Sequence, residues 1–378
     1  MYIPRYLTAS ILEKLTSSKK GIVIYGARQV GKTTLVNEII KKLNLQTLII
    51  NGDQSRYIDI LTSRDLVKIQ SLVSGYEMLF VDEAQRIAEI GINLKIILDN
   101  LPNLKVIVTG SSSLDLASKI SEPLTGRVWS YHLYPVSFLE LSGFKNRAEL
   151  DDNLEERLVY GSYPEIFSYK SLFQKRDYLQ NISDAYLYRD LIEFGDIKNF
   201  SKIRDLLKLL AFQIGSEVSL TELGTMLSMS KDTVSRYIDL LEKSFIVFRL
   251  GGFSRNLRKE VTRMDKVFFY DLGMRNILID NLKPLKDRND SGFLWENFLL
   301  IERMKHNTTK QVLYSNYYWR THTGAELDYV EEKNGTLYGF EFKSGSKMSK
   351  VPTGWLKAYP EAKFQCINKN NYLDFILN

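Results

Sequence analysis

Gly26-Ala-Arg-Gln-Val-Gly-Lys-Thr33 matches the phosphate-binding loop pattern G-x-x-x-x-G-K-[ST] at every fixed position. The pattern carries weight only between a buried strand and a helix. Ile22-Val-Ile-Tyr25 before it is a continuous apolar run of parallel-strand type, and Leu35, Val36, Ile39, Ile40 and Leu43 after it recur at helical spacing. Gly26 and Gly31 let the backbone turn its N–H groups inward onto phosphate oxygens, with the positive end of the following helix behind them. Ala27, Arg28, Gln29, Val30 and Thr34 complete the cradle, Lys32 would reach the β- and γ-phosphates, and Thr33 would hold Mg²⁺. The expected cofactors are ATP and Mg²⁺.

Fifty positions on, Met78-Leu-Phe-Val-Asp-Glu83 is an apolar strand ending in two carboxylates. Asp82 at the strand end can join the Mg²⁺ shell, and Glu83 beside it can polarise an attacking water, which favours hydrolysis over simple binding. A third strand, Val106-Ile-Val-Thr109, runs into Gly110-Ser-Ser-Ser113. Thr109 and Ser111 are candidate sensors of the γ-phosphate; the alternative is a plain serine-rich turn. Leu124-Thr-Gly-Arg127 precedes a strand expected from Trp129 to Leu133. Arg127 there is either a finger on a neighbouring subunit's phosphate or a surface ion pair.

GARQVGKTTL, LFVDEAQRI, VTGSSS, LTGR and LYPVSFLEL, in this order, resemble the prokaryotic AAA-type ATPase family whose core is followed by a C-terminal region of unassigned function. Gly161-Ser-Tyr-Pro164 is similar to a Gly-Gly-Tyr-Pro signature of that family, with Ser162 in place of the second glycine, and Tyr188-Arg-Asp190 follows. The resemblance covers nearly the whole chain and implies an α/β fold with a P-loop parallel-sheet core.

Composition works mainly by exclusion. With 378 residues, 44% of them hydrophobic and 12% aromatic, the chain can fill several cores. No apolar stretch approaches a membrane span, and Met1-Tyr-Ile-Pro-Arg5 lacks a signal-peptide layout. Cys366 alone excludes an internal disulfide framework, and His132, His306 and His322 lack ligand spacing. These features point to the cytoplasm. The formal charge of +6 permits a polyanionic partner without demanding one.

Beyond an AAA-type core at 1–150, the segment 151–205 reads as a helical lid on the nucleotide site and 206–270 as a winged helix-turn-helix. Val218-Ser-Leu-Thr-Glu-Leu-Gly-Thr-Met-Leu227 is a helix opened by a Ser219/Glu222 capping box. A turn at Ser228-Met-Ser230 leads to a second helix that buries Val234, Ile238 and Leu241 and turns Lys231, Thr233, Ser235 and Arg236 outward. In the expected wing, Arg249, Arg255, Arg258, Lys259, Arg263 and Lys266 stand against Glu260 and Asp265, a clustering suited to phosphate contact or to a solvated face.

Residues 271–378 hold a second constellation. Ala325-Glu-Leu-Asp-Tyr-Val330 alternates like a strand, Glu332-Lys-Asn-Gly335 carries an Asn-Gly hairpin turn, and Thr336-Leu-Tyr-Gly-Phe-Glu-Phe-Lys343 returns. Upstream, Phe293-Leu-Trp-Glu-Asn-Phe-Leu-Leu300 reads as a helix. A helix acid, a strand acid and Glu-x-Lys across a hairpin are similar to the restriction-endonuclease-like layout. That resemblance implies that Glu296, Asp328 and Glu341 hold Mg²⁺ or Mn²⁺ and that Lys343 serves the attacking water. Glu326 is expected on the opposite face from Asp328. The expected function is ATP-dependent action on nucleic acid, with DNA or RNA, a homo-oligomer or a protein as partner and no membrane. The alternative is a nucleotide-switched scaffold whose nuclease-like domain only binds a partner.

Overall fold

A computed structural model describes residues 2–111, 123–185, 200–255 and 264–378. They form two compact units: residues 2–135 with Lys243–Phe245, and residues 136–242 with 246–378.

The first unit is built on β1 (Gly21–Tyr25), β2 (Thr47–Asn51), β3 (Met78–Asp82), β4 (Lys105–Gly110) and β5 (Val128–His132). All pair in parallel, in the order β2-β3-β4-β1-β5. The apolar runs explain the central strands. β1 and β3 are buried at every position, as a parallel sheet covered on both faces requires. Each fully buried side chain of the size of Ile24 or Phe80 contributes about 1.5–3 kcal/mol to that core. The helix Lys32–Leu43 buries Leu35, Val36 and Ile39, as their spacing predicts. Strand β5 begins one residue earlier than expected, because Gly21 N–H already bonds Arg127 and the ladder starts there.

In the second unit the helices Arg147–Tyr160 and Leu172–Ala185 both pack on the helix Leu272–Leu278, so the segment read as a lid groups with the C-terminal unit. Tyr188-Arg-Asp190 lies outside the described residues. The helices Phe200–Phe212, Leu220–Leu227 and Lys231–Lys243 follow, with Val234, Tyr237, Ile238 and Leu241 buried. Ser219 Oγ accepts from Glu222 N–H at 3.3 Å, the forward half of the expected box, and Ser228 turns the chain at φ 50°. Lys231 and Arg236 are exposed, Thr233 and Ser235 half-buried. β6 (Val247–Leu250) and β7 (Lys266–Phe269) pair antiparallel.

The helix Ser291–Thr309 leads into β8 (Ser315–Arg320), β9 (Glu326–Lys333) and β10 (Thr336–Phe342), which are consecutively antiparallel. After the helix Thr353–Ala358, β11 (Lys363–Ile367) adds to β10 in parallel, and the helix Tyr372–Leu377 closes the chain. Asn334 and Gly335 both take positive φ, at 49° and 76°, so the Asn-Gly turn forms where it was read. Phe253, Trp319, Leu327, Val330, Leu337 and Trp355 form the apolar cluster on this sheet. Among the described residues no helix is long and apolar enough to cross a membrane.

The Gly-Ser-Tyr-Pro segment has a clear physical role. Buried Asp271 accepts from Ser162 N–H at 2.6 Å and from Met274 N–H at 3.1 Å. A Cβ on Gly161, at φ 72°, would sit 2.0 Å from Asp271 Oδ1, so the close approach falls on the glycine and leaves room for Ser162. Gly161→Ala should lower the unfolding free energy by more than about 1 kcal/mol, read as a lower urea midpoint at unchanged slope, with Ser162→Gly close to wild type.

Candidate functional site

The loop between β1 and the helix Lys32–Leu43 is shaped by its glycines. A Cβ on Gly26 would lie 2.3 Å from the Leu133 carbonyl oxygen, and Gly31 caps the helix at φ 96°. Ala27 and Val30 are buried, Arg28 half-buried, and Gln29, Thr33 and Thr34 exposed toward the loop's open side. Lys32 is 5% exposed, and its Nζ donates to the carbonyls of Gly26 at 2.8 Å and Ala27 at 2.9 Å. A cation thus already lies over the loop, whose helix end favours anions.

Asp82 sits at the end of β3 and accepts at both oxygens. Thr33 Oγ1 donates to Oδ2 at 2.8 Å, and the Thr109 hydroxyl donates to Oδ1. Thr109 reaches it because β3 and β4 run in parallel register, Val81 beside Val108. The residues read from three separate motifs therefore converge on one carboxylate. Glu83 follows in left-handed conformation, at φ 51°. Gln85 Nε2 donates to Glu83 Oε2 at 2.5 Å and to Ser111 Oγ at 2.9 Å, linking the two.

Two contributors escaped sequence reading. One is Gln85. The other is Arg5, 8% exposed, whose Nη1 donates to the Val30 carbonyl at 2.8 Å and Nη2 to the Tyr134 carbonyl at 2.5 Å, pinning the loop from below. A lone arginine far upstream gives no local signal. Arg127 makes a forked pair with Asp99, Nε to Oδ1 at 2.6 Å and Nη2 to Oδ2 at 3.1 Å. That is the ion pair its alternative reading describes, and Arg127 holds the Asp99 carboxyl below its usual range. His132 lies edge-on to Tyr25, Tyr134 and Phe245, and burial pushes its pKa down, as expected of a packed ring.

In the second unit, Asp328 Oδ2 accepts from Phe342 N–H at 2.7 Å, and Lys343 Nζ lies 2.6 Å from Glu341 Oε1. Burial and the neighbouring Glu341 charge push Asp328 up to about 6. Glu341 and Lys343 both lie close enough to act on the Asp328 charge. Glu296 departs from the sequence reading: its Oε1 lies 3.3 Å from Nζ of Lys266, which is 3% exposed and also pairs with Glu326 at 2.5 Å. A buried lysine therefore takes up the helix acid, and among the described residues no group of three or more His, Cys, Asp or Glu could hold a metal ion. Glu326 and Asp328, two apart on β9, both act on Lys266 and Glu296, so they share a face, contrary to expectation.

Two of the basic residues read as a wing are likewise paired with acids. Lys266 is the buried cation just described, and Arg249 is held by Glu242, at 2.6 Å, and Asp239, at 2.8 Å. Arg255 lies over the Tyr359 ring, while Arg258, Lys259 and Arg263 fall outside the described residues.

Residues 18–142 match the model of an AAA domain, 151–285 a domain of unknown function, DUF8612, and 291–372 a second, DUF4143. The uncharacterized protein Rv2008c of Mycobacterium tuberculosis is 30% identical over 353 residues, covering 92% of this chain and 76% of its own. The uncharacterized protein MJ1544 of Methanocaldococcus jannaschii is 25% identical over 368 residues, covering 92% and 80%. Among solved structures, the Walker-type ATPase PABY2304 of Pyrococcus abyssi aligns at 15% identity and TM-score 0.47, covering 73% of this chain and 96% of that one.

Burial raises Glu296 to about 8; Lys266 opposes the shift, and Asp328 and Glu326 add to it. The folded state then keeps a proton that the unfolded chain loses above about pH 4.5, so stability falls as pH rises from about 4.5 to 8. Glu296→Gln should flatten this slope in urea unfolding followed from pH 5 to 8; an unchanged slope would exclude Glu296 as its source.

Proposed function

This chain belongs to the family that includes the mycobacterial Rv2008c and carries an AAA domain, and from that membership and its phosphate loop we propose that it binds ATP with Mg²⁺ and hydrolyses it. The observation that carries the reading is the Asp82 carboxylate bonded to the hydroxyls of Thr33 and Thr109. Thr33 and Asp82 are oxygen donors of the kind that hold Mg²⁺, which when bound neutralises charge on the β- and γ-phosphates. The backbone N–H groups from Gly26 to Thr34 cradle the phosphates, and Lys32 leaves its two carbonyls to meet them. Glu83 takes a proton from the attacking water, with Thr109 and Ser111 facing the γ-phosphate. Lys32→Ala should abolish tight binding of ATP. Glu83→Gln should keep binding and lower turnover at least about 100-fold, the low end for removing a general base; equal turnover in a phosphate-release assay would remove Glu83 from that role.

On this reading ATP turnover drives action on nucleic acid in the cytoplasm, alone or as a homo-oligomer. The helix-turn-helix spacing and the Asp328, Glu341 and Lys343 cluster support it. A second reading is favoured by the Lys266 bond to Glu296: the C-terminal domain is an inactive nuclease-like fold that holds a partner. Cleavage of single-stranded and duplex DNA in Mg²⁺ or Mn²⁺ separates them. The first reading expects cleavage that Glu341→Ala abolishes while ATP hydrolysis persists; no cleavage by the intact chain leaves the second.

A further inference from the structure

The ATPase unit carries a second polar site at the other end of its sheet from the phosphate loop. The loop follows the end of β1; the starts of β1 and β4, at Gly21 and Lys105, border a pocket of about 350 Å³. Its lining includes Ser17, Lys19, Lys20, Asn103 and Lys105, and no acidic side chain among the described residues. Beside it stands Trp129 on β5, 37% exposed, with Lys20 Nζ 4.7 Å and Lys14 Nζ 5.1 Å from its ring centre. The indole N–H donates to Ser18 Oγ at 3.2 Å, which sets the ring against the pocket rim. Two acids stand near these side chains: Glu13 lies a loose 3.6 Å from Lys14, a pair that phosphate could displace, and Asp99 is taken up by Arg127.

We propose that Trp129 with Lys14, Lys19 and Lys20 forms a binding surface for single-stranded nucleic acid, separate from the nucleotide site, while Lys105 is held at the pocket by its bond to the Leu15 carbonyl. The chemistry selects this partner. Lysines around a groove neutralise a phosphate backbone, and an indole offers the flat face on which an unpaired base stacks, whereas a duplex hides its base faces. A lipid surface would ask for several exposed apolar side chains, and this rim is mainly serine, asparagine and lysine. The inference rests on the nucleic-acid reading above and assigns it a place.

Trp295, Trp319 and Trp355 are 2%, 4% and 0% exposed, so quenching of tryptophan emission by a bound strand reports Trp129. Titration of the full chain with a 20-nucleotide oligo(dT) should quench that emission, with affinity falling as salt rises. Lys14→Gln, Lys19→Gln and Lys20→Gln combined should reduce the slope of log K against log salt by about 2, three phosphate contacts at about 0.7 each. Trp129→Phe should remove the quenching and weaken binding roughly tenfold. ATP hydrolysis without DNA should be unchanged in all these variants. Binding to wild type that survives the triple variant with the same slope overturns the surface and leaves the nucleic-acid reading standing. Failure of wild type to bind oligo(dT) or duplex DNA at low salt overturns both. Quenching by poly-glutamate or anionic vesicles but not by oligo(dT) overturns the choice of partner.

Discussion

The Asp82 carboxylate is where three segments of the ATPase unit meet. It ends β3, accepts from Thr109 on the neighbouring β4, and accepts from Thr33 in the first turn of the helix after the phosphate loop. A carboxylate this buried needs donors at both oxygens, since an unpartnered buried charge costs several kcal/mol. Two hydroxyls meet that demand. Both are neutral donors that can turn toward another oxygen or accept in their own right, so the arrangement holds the sheet end and the loop in register without locking them. The parallel register of β3 with β4, and of β4 with β1, is what brings the three segments side by side.

The second unit handles buried charge differently. Asp290 is desolvated, yet hydrogen bonds from Arg288 and Arg275 outweigh that effect and hold its carboxyl at about 2. Asp271, deeper and bonded mainly to backbone N–H groups, moves the other way because desolvation dominates. Lys266 is desolvated too, but Glu296 and Glu326 hold its pKa above the usual value. An ion partner alone does not decide the outcome: Glu296, 3.3 Å from Lys266, is still pushed up to about 8 by burial, whereas Asp290, with two arginines, is pulled down.

What was legible in the sequence follows from the range of the forces involved. The phosphate loop could be read because its turn demands glycines at set positions and its chemistry demands Lys32 and Thr33 next to them. The Asn334-Gly335 turn could be read for the same local reason, as could the buried stripe of the helix Lys231–Lys243. Lys266 could not. Its partners lie 30 and 60 positions away, at Glu296 and Glu326, and a charge run says nothing about which of its members the fold turns inward. Arg5 was overlooked because its acceptors are backbone carbonyls, which any residue supplies. For Glu326 and Asp328 the error was one of parity along a strand, visible once both proved to face Lys266.

Gln85 ties two strand ends together. Its amide nitrogen serves two acceptors, Glu83 Oε2 and Ser111 Oγ, one just past β3 and the other just past β4. An amide nitrogen carries two hydrogens, so neither contact is made at the expense of the other. A side chain just beyond β3 therefore does for the polar end of the sheet what the backbone ladder does along the strands, and loss of this one amide would free both ends together.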